Sequence, residues 1–273
     1  MVPVTLPHVV EPKYPGVVER YVNLGECYDM AALRQRRAEI MGCMKGYKAC
    51  YQRAYRCLTA VAQIGEDVRT TLLTPELEAR LIKRTRGILS REIKKTGREP
   101  GRAVQRFLSA VTWKGAVCNF GTVDALCSRV YELADSYGLG HTMLACLASG
   151  AMAAGYDVIV CPSPLYPERL EHLIIPGLSL AFVTSTPALT YPHRPYRRLR
   201  LDAMADAELM RRSKPRLRFS KKVRTALLEE AVDSLAQAKA MHDELEKLYN
   251  PHVDFGRVYE TAEEIISALT AQM

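Results

Sequence analysis

Residues 129–142 read RVYELADSYGLGHT and run directly into MLACLASGAMAAG at 143–155. The first six, Arg129 to Ala134, have the length and composition of a β-strand. Gly138 and Gly140 then make a turn, and from about Thr142 to Ala154 small and apolar helix formers continue until Gly155 breaks them. Asp157 to Cys161 supplies a second strand-length run. Strand, glycine turn, helix, strand is a βαβ unit, and it requires a parallel sheet covered by helices. The segment from Tyr137 to Tyr156 contains no Asp, Glu, Lys or Arg and approaches the length of a membrane span. Its glycines, His141 and Ser149 argue against insertion, so no membrane association is expected.

Outward from this unit, Val117 to Phe120 and Leu178 to Thr184 read as further strands. On the N-terminal side, Ile40, Met44, Tyr47, Tyr51, Ala54, Leu58 and Val61 alternate steps of four and three, the seam of a long helix. A second helix is predicted from Thr74, an N-cap with Pro75 in the first turn, to about Lys95; Gly97, Pro100 and Gly101 mark a linker. The opening, with Pro3, Pro7, Pro12, Pro15 and Gly16, reads as an extended loop. Beyond the α/β unit, Pro187 to Ser220 reads as an irregular loop with a short helix near Ala203 to Arg211. Ser220 would then cap a long helix ended by Pro251, and Phe255 to Leu269 would complete a hairpin. The expected organisation is a helical segment at 1–103, an α/β module at 104–219 and a helical hairpin at 220–273. A proline-then-helix order at both Thr5 to Pro15 and Thr186 to Pro195 suggests two related modules, the first entered in its middle.

A chain of 273 residues, 48% hydrophobic, buries a real core. Its 38 basic and 30 acidic residues leave a formal charge of +8, concentrated in Arg80 to Arg106 and Arg194 to Arg224. Such runs neutralise phosphates or coat a solvated helix face. Few aromatics are interleaved with them and no reading motif appears, which argues against nucleic acid as the partner. The eight cysteines form no CxxC pair and no Cys/His cluster, so metal binding through them is not expected and a reducing cytoplasm suits them. No catalytic triad or zinc signature can be assembled from six dispersed histidines.

The chemistry concentrates in the turn. In a phosphate-binding loop (P-loop), a strand ends in a glycine-rich turn whose N–H groups wrap phosphates at a helix N-terminus. A Lys reaches the β and γ phosphates and the next Ser/Thr binds Mg²⁺. Against GxxxxGK[ST], Gly140 and Thr142 are in register, Asp135 replaces the first glycine and His141 replaces the lysine. Candidate ATP contacts are Gly138, Leu139, Gly140, His141 and Thr142, with Thr142 also the candidate Mg²⁺ ligand. A neutral imidazole does not replace a lysine, and Asp135 places negative charge where phosphates would sit.

Several segments carry a family resemblance: FLSAVTWKG at Phe107 to Gly115, the altered loop at Asp135 to Thr142, LEHLIIPGLSLAFVTS at Leu170 to Ser185, and AQAKAMHDELEKLYNPHVDF at Ala236 to Phe255. With PHVVEPKYPGVVERYVNLG at Pro7 to Gly25, they resemble a bacterial family of predicted ATPases of unknown function, built from two tandem P-loop modules, each followed by a helical hairpin. The resemblance implies a P-loop NTPase-like parallel sheet with helices on its faces, plus long hairpins. It also implies that the chain begins beyond a first nucleotide core, and that the acidic position of the second motif falls on Thr184. Asp135, His141 and Thr184 together imply a degenerate, weakly binding or non-binding pseudo-ATPase acting as a scaffold or regulator of a protein partner. Two alternatives remain open: an active NTPase or nucleotide kinase using His141 and Thr142 with Arg194 or Arg197, and a nucleic-acid binder using the basic stretches.

Overall fold

A computed structural model describes residues 13, 14, 16, 17 and 19–271. The proline-rich opening, apart from Gly16, lies outside them. Two compact units are present, one comprising the chain up to Arg53 together with Ser234 onward, the other Ala54–Asp233. The expected boundaries after residues 103 and 219 both fall inside the second unit.

The first unit is helical. It holds α1 (Met30–Gln35), the start of α2 (Arg37–Leu72), the end of a long helix (Ala207–Tyr249) and the C-terminal helix (Phe255–Thr270). Asp29 caps α1 through the amides of Ala31 and Ala32, and Asp254 caps the last helix through Arg257 N. Ion pairing of Arg257 with Glu26 and a tilted ring contact of Tyr28 with Tyr249 hold the two ends of the unit together.

The second unit is α/β. After α2 come α3 (Pro75–Glu92), β1 (Ala103–Gln105), the hairpin β2 (Ser109–Thr112) and β3 (Gly115–Cys118), and α4 (Phe120–Leu126). Then follow β4 (Arg129–Ala134), α5 (His141–Ala153), β5 (Val158–Pro162), β6 (Leu170–Ile175), β7 (Leu180–Ser185), β8 (Arg197–Arg200) and α6, the helix Ala207–Tyr249 already met; the C-terminal helix is α7. The six-stranded sheet has the order β1-β5-β6-β7-β4-β8. Every adjacent pair is parallel except those made by β6, which is antiparallel to both β5 and β7. The architecture is α/β with a mostly parallel sheet and long helices.

Side chains alternate across the sheet and both faces are buried. Tyr131, Leu133, Leu180, Phe182, Leu173 and Ile175 pack with α3 and α5 on one face. Val130, Ala181, Val183 and Ile174 pack with Phe120 and Val123 of α4 on the other. Strands buried on two sides need near-continuous apolar runs, which β4 and β7 supply. Glu132 is the exception: 1% exposed, it accepts two bonds from Arg198 of β8, Nε to Oε2 at 2.7 Å and Nη2 to Oε1 at 2.8 Å. The two residues stand opposite one another in the parallel register.

Several expectations are corrected. The strand placed at Val117 to Phe120 is β3, ending at Cys118, and Phe120 instead opens α4. The region 187–220 is not irregular: it contains β8, and α6 begins at Ala207 and continues through Pro215. Ser220 is no cap, but a 5% exposed residue inside that helix. One proline deletes a single backbone bond, a cost of about 3 kcal/mol that a 43-residue packed helix outlasts. The Tyr137–Tyr156 stretch holds the 13-residue α5, and among the described residues no helix is long and apolar enough to cross a membrane.

Replacing Arg198 with Leu leaves the buried Glu132 carboxylate without its two donors and is expected to lower stability. In urea unfolding, the Glu132→Leu/Arg198→Leu double variant should regain most of that loss. A double variant as unstable as Arg198→Leu alone would show that the pair holds nothing by its charge.

Candidate functional site

The turn after β4 lies beyond the carboxyl ends of the parallel strands β4, β7 and β8, where open α/β sheets place their ligands. Its backbone is held on both sides: Asp135 N donates to Ser185 O at the end of β7, and Leu201 N, just after β8, donates to Ala134 O. Gly138 has φ +74°, a conformation that favours glycine. The turn therefore delivers its amides to the N-terminus of α5.

Those amides already have an acceptor. Asp135 is 4% exposed, and its carboxylate lies inside the turn. Oδ1 accepts from Tyr137 N at 3.1 Å and Oδ2 from Gly140 N at 2.7 Å, with the Leu139 amide also directed at it. The next amide, Ser136 N, donates to Asp202 Oδ1 at 2.9 Å, while Ser136 Oγ donates to Asp202 Oδ2 at 2.7 Å. Burial pushes the Asp135 pKa above the usual aspartate range, and the three amides pull it back. Both oxygens accept main-chain bonds, an arrangement that favours the carboxylate against the effect of burial.

The candidate residues separate. Gly138, Gly140 and His141 line a small hollow of about 120 Å³, below the size of ordinary small-molecule sites. Leu139 is 1% exposed and belongs to the apolar core, and Thr142 is half-buried and not part of the lining. His141 Nδ1 accepts from Leu170 N at 3.0 Å. Burial, with Arg169 and Arg69 nearby, lowers its pKa, so the ring is neutral at pH 7. At the expected acidic position, Thr184 Oγ1 donates to Glu171 O at 2.6 Å.

Cations do reach the hollow, but from elsewhere in the chain. Arg69 of α2 lies across Gly138, its Cδ 3.6 Å from where a Cβ would stand. Glu66 accepts two bonds from Arg69 and pairs with Arg169 at 2.5 Å, and these arginines hold its carboxyl down at about 2. Arg224 of α6 packs its guanidinium against Gly65, where a Cβ would also collide with Tyr166 Oη. Arg194 and Arg197 do not line the hollow, and Arg197 stands beside Tyr131, toward the start of β4.

A second group is brought together by the β2–β3 hairpin and β6. Ser109 Oγ is 2.7 Å from His172 Nε2, with Cys118 Sγ at 3.9 Å and Glu171 Oε2 at 3.6 Å from the same nitrogen. It has the composition of a nucleophile site but not the proton arrangement. Thr184 N donates to His172 Nδ1, so the neutral ring carries its proton on Nε2 and donates toward Ser109. Such a histidine accepts no proton from Ser109. Burial lowers the His172 pKa to about 3 and raises the Cys118 thiol to about 11. Glu171 is lifted by burial to about 7, while its neighbour Glu168 is exposed.

Comparison with known proteins finds no matching family model, no matching curated protein and no matching solved structure.

Within the turn the amides of Tyr137 and Gly140 are bonded to Asp135 and that of Ser136 to Asp202, the lysine position holds a neutral imidazole, and the hydroxyl of Thr184 is engaged by backbone.

Glu171 gives a pH signature. Its folded pKa lies above the unfolded value of 4.5, so the folded state retains a proton that the unfolded state loses. Stability should therefore fall as pH rises between about 4.5 and 7, by on the order of 2–3 kcal/mol. Urea midpoints measured at pH 5 and pH 8 should show the parent losing stability relative to Glu171→Gln across that interval. Parallel pH profiles for the two proteins would refute the buried-carboxyl account.

Proposed function

We propose that the α/β unit is a non-hydrolysing, P-loop-like scaffold that supplies its own anion. The observation that carries this reading is the Asp135 carboxylate, bonded by the amides of Tyr137 and Gly140 in the position a phosphate oxygen would need. A carboxylate held covalently next to its donors has a high effective concentration, and a free nucleotide must displace it and then face its charge. The neutral His141 offers no compensating cation. In this reading the turn is locked in its loaded geometry without ligand, and it fixes the ends of β4, β7 and β8 for a structural or regulatory role toward a protein partner. The strand-turn-helix order and the two parallel neighbours of β4 support a P-loop-like ancestry. Nucleotide hydrolysis through His141 and Thr142 is disfavoured by the same geometry.

The test is titration calorimetry with ATP and Mg²⁺, together with removal of the internal anion. The parent should bind in the millimolar range or not at all. Asp135→Ala should lose about 2–4 kcal/mol by stranding buried amides, and millimolar phosphate should raise its melting temperature while leaving the parent's unchanged. Asp135→Asn, which keeps one acceptor oxygen, should lie between the two. Micromolar ATP affinity with turnover in the parent would overturn the proposal, as would an Asp135→Ala protein as stable as the parent.

A further inference from the structure

A larger cavity of about 700 Å³ adjoins the turn within the same unit, sharing Ser136, Tyr137, Glu171, Thr184 and Arg224 with the small hollow. Its volume is that of a small-molecule site. The walls are mainly aliphatic: Val61 and Val68 of α2, Val111 and Val117 of the β2–β3 hairpin, and Leu217 and Leu228 of α6. Among the described residues Tyr137 is the one aromatic in the lining, so the walls offer little for stacking a nucleobase.

The charge of the lining is one-sided. Arg211, Lys214, Arg218, Lys221 and Arg224 all border the cavity from α6. Steps of three and four along the helix place them on one face. Arg216, off that face, is paired with Asp67, whereas none of the five has an ion pair among the described residues. Glu171 is the one acidic residue of the lining. Two buried polar atoms of the lining residues lack hydrogen-bond partners, Arg224 Nε and Glu171 Oε2. A buried donor with no acceptor is costly, and in a cavity of this size a ligand oxygen supplies the missing partner.

We propose that this cavity binds a small amphiphilic anion, an aliphatic body with a carboxylate or phosphate head, whose head is held by Arg224 and the neighbouring cations of α6. The aliphatic walls fit the tail and the unpaired cations fit the head. The occupant is a free small molecule and not a membrane surface, because the apolar residues line an open-mouthed recess of about 700 Å³ and not a flat outward-facing patch. The inference is independent of how the Asp135 turn is read.

Calorimetry of the full chain with decanoate and decyl phosphate, each below its micelle concentration, tests it, with decanol as the neutral control. One-to-one binding of both anions is expected, with decanol weaker by about tenfold or more. Arg224→Met and Lys221→Glu should each weaken the anions at least about fivefold with little effect on decanol. Val117→Trp, which fills the cavity from the hairpin, should abolish binding. If that variant loses its native circular dichroism, Leu217→Trp fills the same space from α6. Equal affinity for decanol and decanoate, or unchanged affinity in a folded cavity-filled variant, would overturn the proposal. So would sedimentation with phosphatidylglycerol vesicles in the absence of one-to-one decanoate binding.

Discussion

The geometry at the head of the sheet rests on a carboxylate bonded by the amides of its own turn. Main-chain N–H groups converging at the start of a helix must find an acceptor, and leaving them empty and buried costs about 1–3 kcal/mol each. Most turns of this shape meet the need with a ligand or water. Here Asp135 meets it from within the turn for Tyr137 and Gly140, and Asp202 takes the amide of Ser136. Because Asp202 follows β8 and Ser136 follows β4, the Asp202 carboxylate also ties the ends of neighbouring parallel strands together. Stability and ligand competence are thus opposed at this point: the same bonds that complete the fold consume the donors a nucleotide would use.

The cations around the turn obey a similar balance. Arg69 and Arg169 approach the place where a P-loop lysine would act, but Glu66 between them satisfies much of their charge. That carboxyl is held so far below its usual range that it remains ionised at any ordinary pH. The resulting Arg–Glu–Arg arrangement serves to pack α2 against the turn. Gly65 contributes through what it lacks, since a side chain there would exclude both Tyr166 and Arg224.

What the sequence revealed follows from which interactions are local. The β4-turn-α5-β5 unit was legible because strand length, two glycines and a run of helix formers are short-range signals. The structure places β4 at Arg129–Ala134 and α5 one residue from its expected start. β6 was missed as an element, although its residues were recognised as a conspicuous segment, because an apolar run beside a Pro-Gly turn carries no sign of strand direction. The role of Asp135 was half legible. Its charge was expected to repel phosphate, but that it would turn inward and bond the amides depends on χ angles and burial that no spacing encodes. The Ser109–His172–Glu171 group was invisible because Ser109 comes from β2 and the other two from β6, far along the chain, and its inertness depends on one long-range bond, Thr184 N to His172 Nδ1.

The largest misreading, the loop expected at 187–220, also explains why the charge there was undervalued. Proline was taken as a helix boundary, and once the segment was read as irregular its arginines and lysines had no face. With α6 continuous through Pro215, the same residues acquire helical periodicity, and the cations at 211, 214, 218, 221 and 224 align along one cavity. The turn and the cavity then differ in a simple way. Around the turn, Asp135, Asp202 and Glu66 neutralise the positive charge of amides and arginines, leaving little to attract an incoming anion. Along the cavity, the lining holds five cations of α6 and one glutamate whose burial favours its neutral form. The unspent positive potential of the unit therefore lies beside the loop and not in it, and an anion approaching this end of the sheet is drawn to the aliphatic chamber under α6.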